Sequence, residues 1–134
     1  MSCTDFVSKF RVYYEDTDAA GVVYHANYLK FMERARTEWL ASLGCLPQQP
    51  ADRWGVIFAV RSVTMEFVKP ARLGNILEVT VTPERIRGAS MDILQKVVND
   101  QQTLVRGSFR IACIDAIRFG VCRIPTDLVK RIQL

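Results

Sequence analysis

Residues 13–28 read YYEDTDAAGVVYHANY and hold three acids within four positions, a glycine and the chain's single histidine. Acids so spaced serve three chemistries. A calcium loop is the first: Asp16, Asp18 and Gly21 imitate its positions 1, 3 and 6. However, position 5 is Ala20, and position 12, where a bidentate glutamate is required, is Asn27, so calcium fails the spacing test. Phosphoryl transfer on an aspartyl nucleophile is the second. It uses D-x-D after an apolar strand, as in the haloacid-dehalogenase-like phosphatases, on a doubly wound parallel sheet. A chain of 134 residues whose later strands follow one another without helices does not supply that sheet.

The third chemistry needs one carboxylate beside the start of a helix. Gly21 permits a backbone conformation closed to other residues, and GVVYHAN leads directly into a helical pattern. The N–H groups of a helix's first turn lack intrahelical acceptors, and the dipole there favours negative charge. An ester or thioester carbonyl set on those donors has its developing oxyanion stabilised. Asp18, a few residues upstream, can then attack the carbonyl or activate a water.

The elements that must position these groups follow from periodicity. Residues 6–14 alternate, with Phe10, Val12 and Tyr14 on one face, and are expected to form a half-buried strand. From Asn27 to Leu43 the apolar residues Tyr28, Phe31, Met32, Ala35, Trp39, Leu40 and Leu43 fall at helical spacing, with Gly44 as the stop. Residues 46–55 carry two prolines and a glycine and read as a loop. Four strands are expected at 56–68, 76–86, 90–98 and 103–115, joined by short links that favour antiparallel neighbours in a meander. The tail from Pro125 to Leu134 has room for a short helix. The layout is α+β, a five-stranded antiparallel sheet with one long helix, and residues 1–134 are expected to form one domain. One helix covers part of one sheet face, so the remaining apolar surface calls for a second copy.

Composition narrows the function. Apolar residues make up 49% and charged residues 24%, which excludes disorder. No run approaches the roughly 20 apolar residues of a membrane span, and MSCTDFVSKFR has no apolar leader segment, so a cytoplasmic location is expected. Cys3, Cys45, Cys113 and Cys122 are scattered without a C-x-x-C pair, so neither zinc nor a disulfide is expected. The net charge of +4 favours anionic partners. The 18 lysines and arginines are spread out, which suits phosphates on a small ligand, and no nucleic-acid partner is expected.

The stretch YYEDTDAAGVVYHANYLKFMERARTEWL resembles the signature of the hotdog-fold acyl-CoA thioesterases, in the 4-hydroxybenzoyl-CoA thioesterase branch and closest to its YbgC type. Similarity continues through EFVKPARLGNILEV and RIRGASMDILQKVVN and weakens after Asp115 and in the 46–55 loop. The resemblance implies a sheet wrapped around the helix, dimers that assemble into tetramers, and cofactor-free hydrolysis of acyl-CoA at a site between subunits. Residue by residue, Asp18 matches the catalytic carboxylate, as nucleophile or general base, and Asp16 a positioning acid. Tyr14 and His25 match positions flanking the thioester, with the His25 backbone N–H as oxyanion donor. Asn27 caps the helix or fixes the loop. Arg87, assisted by Arg85, matches the basic position that meets the CoA phosphates. Phe58, Ala59 and Val60 lie on the strand that lines the acyl pocket. Two rival readings follow: hydrolysis of aromatic esters such as hydroxybenzoyl- or dihydroxynaphthoyl-CoA, and a binding module without catalysis. The resemblance also points to acyl carrier protein or inner-membrane-associated proteins as partners, the latter compatible with a cytoplasmic protein that visits the periphery of the inner membrane.

Overall fold

The computed structural model describes residues 6–45 and 54–132. Five strands, β1 (Phe6–Arg11), β2 (Val56–Phe67), β3 (Ile76–Arg87), β4 (Ser90–Asn99) and β5 (Gln102–Asp115), form one antiparallel sheet in the order β1-β3-β4-β5-β2. Helix α1 (Asn27–Ser42) packs on β1, β3 and β4, and a short α2 (Thr126–Arg131) follows the last strand. Most of the 46–55 loop and the last two residues of the tail lie outside the described residues.

Helix α1 forms where the period predicts it. Phe31, Met32 and Ala35 are sealed in the core and Trp39 nearly so, each large side chain contributing roughly 1.5–3 kcal/mol by burial. They meet Leu77, Val79 and Val81 of β3 and Met91, Ile93 and Val97 of β4, which alternate inward along their strands. At the helix end Gly44 takes φ +91°, and the N–H groups of Gly44 and Cys45 donate to the carbonyls of Ala41 and Leu40. That is the left-handed closure glycine allows.

Two expectations need correction. The four later strands are not a simple meander: β3, β4 and β5 are consecutive neighbours, but β2 pairs with β5 and β1 pairs with β3. The link 68–75 therefore runs from one side of the sheet to the other, and it is tied to the acidic corner as it passes. Val23 N–H donates to the Ala71 carbonyl, Val22 bridges Arg72, and Ala71 N–H donates to the Tyr28 hydroxyl at 3.0 Å. The first strand also ends at Arg11. Val12 is held by Asn75 and Gly74, and the chain then turns through a single 3₁₀ turn at Tyr14–Asp16. Tyr14 is consequently 83% exposed and does not face inward.

Strand β2 is an edge strand of twelve residues, and most of it is exposed, including Val60, Val63 and Phe67. A long edge with apolar side chains is a pairing surface for another strand.

Candidate active site

The corner between β1 and α1 is built on Asp16. Its carboxylate is buried; Oδ2 accepts the Tyr13 N–H at 2.8 Å and Oδ1 accepts the Asn27 Nδ2–H at 2.7 Å. Its carbonyl accepts the Tyr24 N–H. Asp16 thus holds both legs of a small hairpin, in which Thr17 bridges Val23 and the Asp18 N–H donates to the Val22 carbonyl. Asn27 is the first residue of α1, after Ala26 at the cap position, so its side chain fixes the loop and does not cap the helix.

Asp18 sits on this hairpin, exposed to solvent. Its Oδ1 accepts the Ala20 N–H at 2.9 Å, and the Gly21 N–H donates to its carbonyl with Gly21 at φ +78°. This local turn orients the carboxyl group and leaves Oδ2 without a partner among the described residues. His25 lies two residues before α1, also exposed, its ring 4.5 Å from that of Tyr24 and edge-on to Phe67 at 6.4 Å. The backbone N–H groups of His25, Ala26 and Tyr28 have no acceptor among the described residues, which is the donor set an oxyanion needs. A cleft of about 260 Å³ opens beside them, lined by Val23, His25, Tyr28, Phe67, Lys69 and Pro70. Burial pushes the Tyr28 hydroxyl pKa up, against the bond from Ala71.

The other expected site residues lie at the opposite end of the sheet. Phe58, Ala59 and Val60 line a cavity of about 440 Å³ with Trp39, Leu40 and Arg36. Arg87 closes β3 there, and eleven strand steps separate it from Ile76 at the Asp18 end, roughly 36 Å at about 3.3 Å per residue. One chain therefore does not bring Arg87, Phe58, Ala59 and Val60 to Asp18 and His25. Arg87 is also committed: its Nη2 pairs with Asp92 Oδ2 at 3.0 Å, while Arg110 Nε pairs with Asp92 Oδ1 at 2.9 Å. Two cations on one carboxylate leave a net positive cluster, with Arg87 Nε buried and without a partner among the described residues. Arg85 is exposed beside it.

Arg110 and Arg36 were not singled out from the sequence. Arg110 meets Asp92 across β4 and β5, a register visible only in the folded sheet. Arg36 donates from Nη1 to Oε1 of the buried Gln95 at 2.9 Å and lies 4.4 Å over the Phe109 ring. Burial lowers its pKa to about 10. A glutamine in the middle of an apolar strand was the one available signal.

The pattern of the thioesterase superfamily matches residues 20–106. The chain belongs to the thioesterase superfamily. It is 41% identical over 130 residues to the acyl-CoA thioester hydrolase YbgC of Escherichia coli O6:H1, covering 96% of each chain. It is 38% identical over 118 residues to the acyl-CoA thioesterase YbgC of Haemophilus influenzae, covering 88% of this chain and 87% of the other. Among solved structures, a probable thioesterase from Bartonella henselae superposes with a TM-score of 0.85 at 33% identity, over 90% of this chain and 99% of that one. The sheet and its central helix are the hotdog architecture expected for thioesterases of this kind. Among the described residues, no helix is long and apolar enough to cross a membrane.

Proposed function

We propose that this protein hydrolyses acyl-CoA thioesters, releasing a carboxylic acid and the CoA thiol, with Asp18 as the reacting carboxylate. The observation that carries the reading is the corner itself: an oriented, solvent-facing Asp18 before a helix start whose N–H groups at His25 and Ala26 have no acceptor among the described residues. The close YbgC relatives are named for this reaction. The thioester carbonyl oxygen sits on those N–H donors, which are worth most when its charge develops. Asp18 then acts in one of two ways. It adds to the carbonyl and expels the CoA thiolate, leaving an anhydride that water opens, or it takes a proton from a water that adds instead. His25 orients the thioester or the water from the mouth of the cleft, and Tyr14, exposed beside Asp16, flanks the approach.

The separation of the two groups of residues argues for a site built by two copies. Antiparallel pairing of the free β2 edges about their midpoint sets the Val56 end of one copy against the Phe67 end of the other. The Phe58–Val60 cavity and the Arg87 cluster of one subunit then lie toward the Asp18 and His25 of its partner. In this arrangement Phe58, Ala59 and Val60 hold the acyl group, and Arg87 and Arg85 meet the CoA phosphates with Arg110 sharing the charge of Asp92. Two such dimers make the tetramer. The cavity wall includes Trp39 and Phe58, so aromatic esters belong among the substrates to be tried. The net charge of +4 also suits an acidic acyl carrier protein, or an acidic inner-membrane surface, meeting a cytoplasmic enzyme.

A panel of short aliphatic, long aliphatic and aromatic CoA esters with the purified protein tests the reading. We expect hydrolysis of at least one class, lost in Asp18→Asn. Absence of turnover across the panel would leave a binding module as the better description.

A further inference from the structure

Cys113 and Cys122 face each other where the chain returns along the end of β5. The Cys122 N–H donates to the Cys113 carbonyl at 3.0 Å, and Ile114 bridges Val121. The two Sγ atoms are 3.6 Å apart, in van der Waals contact. A disulfide needs about 2.05 Å between its sulfurs, so bond formation requires them to approach by about 1.5 Å. Nothing in the hydrolysis uses either thiol.

The two cysteines differ in access. Cys113 is fully buried, and Cys122 is partly exposed. Burial, reinforced by Cys122, pushes the Cys113 thiol up to about 12, so Cys122 is the sulfur that meets an oxidant first. The segment they join matters to the fold. Ile124 N–H donates to the Gly88 carbonyl in the β3–β4 turn, and Arg123 lies over Gly88 beside the Arg87 cluster. Between the cysteines runs an exposed loop carrying Ile117 and Phe119, the latter held at φ +59°.

We infer that Cys113 and Cys122 are an oxidation-sensitive pair that forms a disulfide with peroxide as oxidant, stapling the C-terminal segment to the end of β5. Cys122, its proton given to solvent, attacks one peroxide oxygen; the O–O bond breaks and hydroxide leaves, taking a proton as water. The Cys113 sulfur then attacks the sulfenic sulfur of Cys122. The S–O bond breaks, and the departing hydroxide carries off the Cys113 proton as a second water. Two thiols are oxidised by two electrons and one peroxide is reduced to two waters.

The closed loop constrains the unfolded chain, so the oxidised protein should melt at a higher temperature. The test treats the full chain with hydrogen peroxide, maps all four cysteines by peptide mass, and measures Tm before and after reduction with dithiothreitol. We expect a Cys113–Cys122 linked peptide that has lost two hydrogens, and a Tm increase that reduction reverses. Cys122→Ser should show neither, while Cys45→Ser should show both. Linkage of Cys113 to Cys45, oxidation of Cys122 to the sulfinic acid without a link, or a linked peptide with unchanged Tm would each overturn the inference.

Discussion

Asn27 Nδ2–H donates to Asp16 Oδ1 across 2.7 Å, with both side chains buried, and this bond joins the first residue of α1 to the acid two positions before Asp18. One interaction thereby links the helix start to the hairpin that carries Asp18. Asp16 is the buried, structural member of D-x-D, and Asp18 is the exposed member, the one to which we assign the chemistry.

Asn27→Ala should therefore be costly. It removes a hydrogen bond to a buried charge, worth roughly 1.5–3 kcal/mol, and frees the corner to shift relative to the helix N–H groups. Urea denaturation should show a loss of that size, and kcat should fall more than KM rises. A variant as stable as the parent would show that the bond does not hold the corner.

Asp18→Asn should separate chemistry from structure. The asparagine Oδ1 still accepts the Ala20 N–H, so the turn survives and Tm should not move. Loss of the carboxylate should cut kcat at least about 10²-fold. Near-parental turnover in a folded variant would remove Asp18 from the mechanism.

What the sequence disclosed and what it hid divide along the range of the interactions. The stripe Phe31, Met32, Ala35, Trp39 is local, repeats every three to four residues and lies buried as the period requires. The order β1-β3-β4-β5-β2 is not local, because short links show only that neighbours run antiparallel and leave open which strands adjoin. Tyr14 continued a correct alternation past the strand's real end. The turn there is set by Asp16 accepting the Tyr13 N–H, a bond that alternation does not encode. In the site, D-x-D, Gly21 and the helix start were legible because they lie within a dozen residues. The pairing of Arg87 and Arg110 on Asp92, and of Arg36 with Gln95, depends on strands meeting in the folded sheet.

Asp92 predicts a pH dependence of stability. The hydrogen bond from Arg110, with a further one from Arg87, holds its carboxyl pKa below the usual value. A depressed folded-state pKa gives stability that is fully present above the unfolded value of about 3.9 and is lost as pH falls through the folded value. The stability gap between the parent and Asp92→Asn should be open at neutral pH and narrow progressively below about pH 3.9. A gap independent of pH would mean that Asp92 acts by shape and not by charge.

Arg87→Ala tests whether the Arg87 cluster meets the CoA phosphates, as we propose. Arg87 shares Asp92 with Arg110, so its removal leaves Asp92 paired and the strands in register. The local positive charge drops by one, and the buried Nε, without a partner among the described residues, is lost. KM for a CoA ester should rise at least about tenfold, the order expected for a single charge-assisted hydrogen bond worth about 1.5–3 kcal/mol. KM for the same acyl group on a short thiol lacking the nucleotide should stay at the parental value. Added salt should narrow the difference between parent and variant for the CoA ester alone, because only that substrate carries phosphates to be screened. Equal effects on both substrates would assign Arg87 to the sheet and leave the phosphates to other residues.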